Sequence, residues 1–315
     1  MQIIIEQILI LAIISIIGLI AFKLKAISKD NCNGLVKVIL KITLPVLIFT
    51  TFAKTELDSE MIASFPFVFG AAFFCVPILY LLSKISAKAQ KLDKENTALH
   101  NVHTMFGNAV FLGFPLLNAL FPGGEGLIYA SIFQLAHDGL MWTWGIFILN
   151  NGSEQKSSKT WKHLINPTTV AFIIGILFML LKIKIPFVIL EPLNGLGHTT
   201  IYLSMIYIGA VLANIKVKPL ITNIRSYILS FNKLILGPLI LMLIYYLLTK
   251  AGINIPKTAI TCAILQSAMP CMIIISVLAE ELGLNAKQAV ENIFISSVLS
   301  IITLPFIYYL TTLLF

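Results

Sequence analysis

Charged side chains are scarce in this sequence of 315 residues. Asp, Glu, Lys and Arg make up 11% of the chain, against about 25% in an average soluble domain, whereas apolar residues make up 58%. So few charges cannot cover the surface of a soluble protein of this length. Apolar runs of about 17 to 25 residues recur instead, which is typical of helices that cross a bilayer.

Cysteines and catalytic motifs are also few. Cys32, Cys75, Cys262 and Cys271 show no C-x-x-C spacing, so they predict neither a zinc site nor a disulfide framework. The sequence contains no P-loop, H-E-x-x-H or G-x-S-x-G pattern. We therefore predict no catalytic residue, no metal and no cofactor, and a membrane enzyme is the weakest function class considered.

The basic residues are spread along the chain rather than gathered in one patch. The net charge of +8 therefore indicates membrane orientation and not nucleic-acid binding. When the connections are numbered by the apolar runs they join, the odd-numbered set holds fourteen Lys or Arg residues and the even-numbered set five. The richer side is predicted to be cytoplasmic, which places both termini outside a cell (inner or plasma) membrane that the chain crosses many times.

The apolar runs predict ten membrane spans. The seventh is the weakest, because it is short and follows polar residues. In span 2, Lys37 and Lys41 share one face and are predicted to extend to the cytoplasmic interface. The predicted spans lie near 3–22, 34–53, 61–83, 104–121, 126–149, 167–186, 199–214, 228–248, 257–279 and 288–314.

Two predicted spans suggest an internal repeat, in GNAVFLGFPLLNALFPGGEG and ILQSAMPCMIIISVLAEELG. Pro115 and Pro270 lie 155 residues apart, and each precedes a glutamate, Glu125 or Glu280, by ten residues. Five spans per half is an odd number, so the halves would have opposite orientations, as in secondary transporters with inverted repeats.

We therefore predict an all-α integral membrane fold of ten transmembrane helices in two inverted five-helix repeats. Spans 1–5 form the first repeat, residues 1–150, and spans 6–10 the second, residues 151–315.

The same prolines predict interruptions in helices 4 and 9. Proline removes an N–H and clashes with the carbonyl four residues earlier, and glycine lets the backbone unwind. An interrupted helix exposes backbone groups and half-helix dipole ends at mid-membrane, where they can hold an ion or a substrate. We expect breaks near Pro115 and Pro270; a plain proline kink is the alternative for either span alone.

Three stretches resemble the auxin efflux carrier family, whose bacterial members are similar to organic-acid permeases. GNAVFLGFPLL resembles the family's fourth span, IYASIFQLAHDGLMWTWGIFIL its fifth and QSAMPCMIIISVLAEELGLNAK its ninth. The resemblance covers nearly the whole chain and implies a fold like that of bile-acid sodium symporters. Spans 1, 2, 6 and 7 would be the scaffold, and spans 3–5 and 8–10 a moving transport domain.

The resemblance also implies that the broken, crossing helices 4 and 9 meet at the substrate site. Matched residue by residue, it assigns substrate binding to Asn108, Gly113, Pro115, Gln266 and Pro270.

Polar residues in the fifth and tenth spans are candidates for coupling to an ion. His137 and Asp138 lie within span 5, and Gln134 lies one helical turn before Asp138. Asn292 follows Pro270 at nearly the distance at which Asp138 follows Pro115. We expect these four residues to serve proton or cation coupling; a structural role in a local pair is the alternative for His137 and Asp138.

The basic residues of the predicted spans give no obvious anion site. The single arginine, Arg225, is predicted in a connection, and Lys233 near a span end. We therefore expect half-helix N-termini and the amides of Asn108 and Gln266 to hold a monocarboxylate. His100 and His103 are predicted to lie in a basic, solvated connection before span 4.

The function predicted from these observations is secondary transport. Small organic anions such as carboxylates would cross the bilayer by an elevator-like alternating-access motion. A sodium-coupled bile-acid-type symporter and a channel-like facilitator are the alternatives, and assembly as a homodimer is left open.

Overall fold

The structure, a computed structural model, describes residues 2–54, 59–154, 167–213 and 223–315. These residues are almost entirely helical, and among them the only β-type pairing is one isolated bridge. The lysines predicted in connections 155–166 and 214–222 lie outside the described residues. The helices are α1 (Gln2–Lys23), α2 (29–54), α3 (Ser59–Ala89), α4a (Lys94–Met105), α4b (Ala109–Leu120), α5 (125–152), α6 (Pro167–Leu180), α7 (Phe187–Ala213), α8 (Ile224–Lys250), α9a (Lys257–Ser267), α9b (Ile274–Glu281) and α10 (Ala286–Leu314).

Five of the described helices are long and apolar enough to cross a membrane. They are α2, α3, α7, α8 and α10, and further apolar helices of 10–17 residues occur in α1, α4b and α6. Many large apolar side chains on these helices are exposed, which suits a surface in contact with lipid rather than water. The fold is therefore that expected of an α-helical membrane protein.

The fourth helical region begins ten residues earlier than predicted. Asp93 caps α4a by accepting a hydrogen bond from the Asn96 N–H at 2.8 Å. His100 and His103 consequently lie inside α4a and are buried, so the prediction that they occupy a solvated connection is wrong. The Ser86 hydroxyl lies 2.7 Å from His100 Nε2, which gives one of the two rings a polar partner within the protein.

The seventh helix also begins earlier than predicted, at Phe187 rather than near residue 199. Its polar residues Asn194 and His198 do not end the helix. Instead they line a polar cavity of about 520 Å³ with Lys54 and Asn118, where α2, α4b and α7 meet. Polar residues in an apolar helix are tolerated where the helix borders such a cavity.

Several helices continue through proline because a π turn precedes it. A π turn is wider than an α-helical turn, so it relieves the clash between the proline ring and the carbonyl four residues earlier. The helices therefore run on without a break at these prolines. The π turns 39–43, 109–113 and 232–236 lie just before Pro45, Pro115 and Pro238, respectively.

One group of helices packs closely through small residues. At Gly18 an added Cβ would overlap the Ile206 carbonyl, and at Gly209 it would overlap the Ser15 carbonyl, so α1 and α7 are in direct backbone contact. The α2 helix packs along α6 and α7, with the Phe52 and Phe172 rings edge to face at 5.1 Å. Thus α1, α2, α6 and α7 form one group, in which α7 contacts α1 and α2, and α2 contacts α6.

A second group consists of α3, α4, α5, α8, α9 and α10. Within it, α3 packs on α4a, α5 and α8, and α5 packs on α4b and α9a. The Ser64 hydroxyl donates to the Tyr129 hydroxyl at 3.0 Å, which links α3 to α5. The Tyr245 hydroxyl donates to the Phe67 carbonyl at 3.0 Å, which links α8 to α3.

Candidate functional site

The interruptions of α4 and α9 lie against each other. Gly107 forms an antiparallel bridge with Cys271. The Asn108 N–H donates to the Pro270 carbonyl at 2.6 Å, and the Met272 N–H donates to the Phe106 carbonyl at 3.2 Å. These two bonds join the halves of the chain at a crossing, defined here as residues 106–108 and 268–273.

The first break does not lie where the proline predicted it. Helix α4a ends at Met105, and Phe106 adopts an extended conformation with φ −112° and ψ 125°. Pro115 lies seven residues beyond Asn108, inside α4b, where the preceding π turn 109–113 accommodates its ring. The expected break near Pro115 is therefore wrong by several residues, whereas Pro270 lies within the second break.

Backbone donors at the crossing are satisfied by side chains of the following helices. The Gly107 N–H donates to His137 Nε2 at 3.3 Å, and the Cys271 N–H donates to the Ser296 hydroxyl at 3.0 Å. His137 Nε2 must be unprotonated to accept this bond. His137 therefore holds the break in place, and its ring stacks on Phe133 at 5.8 Å.

A cavity of about 360 Å³ begins at the crossing and is named here the crossing cavity. It lies between α2, α4b, α5, α6 and α9b, and most of its lining is apolar, including Leu44, Phe111 and Trp142. The first residues of α4b and α9b both border it, so two half-helix N-termini with partial positive charge face it. Its polar lining consists of Lys41, Asn108, Gln134, Asp138, Thr168 and Glu281.

Asn108 also lines a second cavity. This apolar crevice of about 220 Å³ lies between α1, α4b, α7 and α10, and Pro270 borders it too. Asn108 is 3% exposed, and it borders both spaces. Of the residues predicted to bind substrate, Asn108 alone borders both spaces within the described part of the chain.

Gln134 and Asp138 lie together on the wall of the crossing cavity. Gln134 Nε2 donates to Asp138 Oδ1 at 2.6 Å, as the spacing of one helical turn predicts. A carboxyl group within the helical part of a membrane protein is costly unless it borders a cavity or has a polar partner, and Asp138 has both here. This pair is therefore available to a solute in the cavity.

Gln266 and Gly113 contact each other, and neither borders the crossing cavity or the apolar crevice. Gln266 is 1% exposed, and among the described residues its side-chain amide has no hydrogen-bond partner. A Cβ added at Gly113 would lie 2.5 Å from Gln266 Oε1, so the π turn of α4b accommodates this side chain only because residue 113 is glycine. The two predicted residues thus form one packing contact behind the cavity wall.

Asn292 lies in a separate polar cluster. Its Oδ1 accepts from the Ser226 hydroxyl at 2.7 Å and from Gln288 Nε2 at 2.9 Å, which ties α10 to α8. Asn223 extends the cluster by donating to Glu291 at 2.7 Å. Asn292 borders neither the crossing cavity nor the apolar crevice.

Sequence reasoning placed neither of two lysines, Lys41 and Lys233, at the crossing. Lys233 is buried, and its ammonium donates to the Met105 carbonyl at 3.2 Å, at the partially negative end of α4a. Lys41 lines the crossing cavity, whereas Lys37 does not. The signal for both was available: each lysine lies within a predicted apolar span, four residues (Lys41) or five residues (Lys233) before a proline.

A polar chain lies beside Lys233. Asn232 Nδ2 donates to the Ser86 hydroxyl at 2.9 Å, and the same hydroxyl contacts His100. These residues come from α8, α3 and α4a, so the polar chain links these three helices beside Lys233.

Comparison with known proteins defines the class to which this fold and site belong. The membrane transport protein family matches residues 3–308, and the chain belongs to that family. This confirms the resemblance to the auxin efflux carriers. Relatives described as uncharacterized transporters occur in two archaea. The protein of Methanothermobacter thermautotrophicus is 27% identical over 95% of this chain and 96% of its own, and that of Methanocaldococcus jannaschii is 24% identical over the same shares.

Proposed function

We propose that this membrane transporter is a secondary transporter of small organic anions, such as carboxylates, and that the crossing is its substrate site. The observation that carries the proposal is the position of Asn108 between the crossing cavity and the apolar crevice. A side chain with both donors and an acceptor, located where two helices are interrupted, can bind a carboxylate from either space.

An elevator-like motion of one helix group past the other fits the packing. The helices α1, α2, α6 and α7 would form the scaffold, and α3–α5 with α8–α10 the moving transport domain. In support, the two backbone bonds between Phe106–Asn108 and Pro270–Met272 would make the crossing move as one unit. The crossing cavity and the apolar crevice both lie at the boundary between the two helix groups.

The paired side-chain acceptors support an inverted repeat. His137 follows the first break and Ser296 the second, and each accepts the free N–H of a break residue. Under this proposal the residue that corresponds to Gly107 is Cys271, and the repeat is aligned on the breaks rather than on Pro115 and Pro270. The ten helices would then form two five-helix halves of opposite orientation.

We assign coupling to Asp138 and Gln134 rather than to His137 or Asn292. The first two border the crossing cavity, whereas His137 is engaged at Gly107 and Asn292 at Ser226. A proton or a cation at Asp138 would neutralise the carboxylate while an anion is present.

The two alternatives are less well supported. A sodium site at the carbonyl end of α4a would compete with the Lys233 ammonium, which already contacts the Met105 carbonyl. A channel needs a continuous path, but the backbone of the crossing separates the cavity from the crevice.

Purified protein in liposomes tests the proposal. A thermal-shift screen of mono- and dicarboxylates identifies binders. Uptake measured against the external concentration of a binder tests whether transport is saturable. Loading the liposomes with unlabelled binder tests whether exchange accelerates uptake. We expect Asn108→Ala to raise the apparent KM about tenfold, because the variant loses one hydrogen bond to a charged group. Asn118→Ala is the matched control, because Asn118 is on the same helix but borders the polar cavity between α2, α4b and α7.

Three results would count against the proposal. Absence of binding by every carboxylate would exclude organic anions as substrates. Uptake that does not saturate would indicate a channel. Equal KM values for Asn108→Ala and Asn118→Ala would remove Asn108 from the site.

A further inference from the structure

We propose that Lys41 is the residue that recognises the negative charge of the transported anion, and that it contacts the anion in only one of the two access states. This inference rests on the proposed organic-anion function and adds to it a specificity-determining residue. It replaces the expectation of a site without a basic side chain.

Lys41 lies inside α2, away from both helix ends. Twelve residues separate it from the start of α2 at residue 29 and thirteen from its end at Lys54. Measured from the start of the predicted apolar span at residue 34, Lys41 is seven residues in, which is roughly 10 Å at 1.5 Å per residue. Its side chain is exposed, and Lys41 is one of the residues that line the crossing cavity.

The local backbone also sets Lys41 apart. It lies within the π turn 39–43, a wider turn that shifts the register of the side chains along the helix. Lys37, one turn nearer the start of α2, is also exposed but does not line the cavity. The chain thus contains two neighbouring lysines on one helix, of which only the deeper one can contact a solute at the crossing.

The rest of the lining favours a particular kind of anion. Lys41 and the N-terminal ends of α4b and α9b are the positive groups of the cavity, whereas Asp138 and Glu281 are negative. One carboxylate can be stabilised by the positive groups, but a second would lie near Asp138 or Glu281. Because most of the remaining wall is apolar, an apolar body with one carboxylate is the best match.

Lys41 and Asn108 belong to different helix groups, and this makes the contact dependent on the access state. Lys41 is carried by α2, which packs on α6 and α7, whereas Asn108 is bonded to the α9 break. If the crossing moves relative to α2, an anion that stays with Asn108 leaves Lys41. Lys41 would therefore raise affinity on the side to which the crossing cavity opens and not on the opposite side.

Binding measurements test the charge-recognition part. Benzoate and hexanoate are the probes, and benzamide is the uncharged analogue of benzoate. We expect Lys41→Gln to weaken binding of both anions about tenfold, Lys41→Arg to retain it, and Lys37→Gln to bind like the unmodified protein. Benzamide should bind Lys41→Gln and the unmodified protein equally.

Uptake in right-side-out and inside-out vesicles tests the dependence on access state, after subtraction of uptake by vesicles without the protein. We expect Lys41→Gln to raise the KM for benzoate about tenfold from one side and less than twofold from the other. A KM raised equally from both sides would overturn the one-state contact.

The outcomes separate the two proposals. If neither anion binds the unmodified protein, organic-anion transport and the role of Lys41 both fall. If the anions bind and Lys41→Gln binds them as tightly as Lys37→Gln does, the role of Lys41 is wrong while the proposed function stands.

Discussion

Gln266 and Gly113 illustrate how two residues singled out together can have one shared role. Both were predicted to touch substrate, yet they are buried against each other. A Cβ added at Gly113 would lie 2.5 Å from Gln266 Oε1. The side chain of Gln266 therefore shapes the π turn beside Asn108 and does not line the cavity. The sequence could not reveal this contact, because the approach of α9a to α4b is set by tertiary packing.

We expect Gly113→Ala to lower the Tm by several degrees, since its new methyl group would overlap Gln266 Oε1. In the double variant with Gln266→Ala, the added methyl group has room, so Gly113→Ala should then cost much less. Thermal unfolding of the four proteins in one detergent gives the coupling directly. Additive losses of stability would contradict the contact.

Asp138 leads to a prediction about coupling. If it exchanges a proton during transport, Asp138→Asn should abolish acceleration of uptake by an imposed pH gradient while still exchanging substrate at equal pH. Lys41 and Glu281 are the other charged groups on the same cavity wall, so Glu281→Gln is the control and should keep the acceleration. Counterflow and gradient-driven uptake in liposomes distinguish the two steps. Gradient-driven uptake by Asp138→Asn would assign the proton elsewhere.

At the scale of helices, proline proved to be a weak predictor of interruption. Only Pro270, among the described prolines within helical regions, lies in a break of the backbone. The first break is formed at residues 106–108, whose backbone is held by pairing with residues near Cys271. No local pattern could reveal this pairing. Pro66, Pro77, Pro192 and Pro305 lie inside continuous helices, and Pro45, Pro115 and Pro238 follow π turns.

The two prolines that suggested the repeat should consequently differ in effect. Pro270→Ala supplies an N–H that lets α9a extend into the crossing, so we expect loss of most transport activity. Pro115→Ala changes a position inside the continuous helix α4b, away from the break, and should keep most of it. Uptake normalised to the amount of inserted protein is the measurement. Similar losses in both variants would argue that the π turn before Pro115 is itself needed for transport.

The orientation of the whole molecule in the membrane is predicted from the distribution of charged residues along the sequence. The lysine distribution predicts that both termini are extracytoplasmic and that the connection between α3 and α4a is cytoplasmic. Lys91 lies in that connection, with a φ of 51°. It is therefore a convenient reporter of the side of the membrane.

A cysteine at Lys91, in a variant whose four native cysteines are replaced by serine or alanine, should be protected from an impermeant maleimide in intact cells. It should become reactive once the membrane is permeabilised. A cysteine at Asn254, exposed between α8 and α9a, is the opposite control and should react in intact cells. Labelling of Lys91→Cys from outside would invert the topology.

The crossing also has a consequence for how the protein is made. The Asn108 N–H and the Phe106 carbonyl find their partners only in Pro270 and Met272. About 160 residues must still be synthesised after α4 leaves the ribosome, which takes roughly 10 to 30 seconds at ordinary elongation rates. During that interval these polar groups cannot be left in hydrocarbon, because each would cost several kcal/mol there. Until the ninth helix is made, these groups must therefore be satisfied by partners other than those of the folded protein.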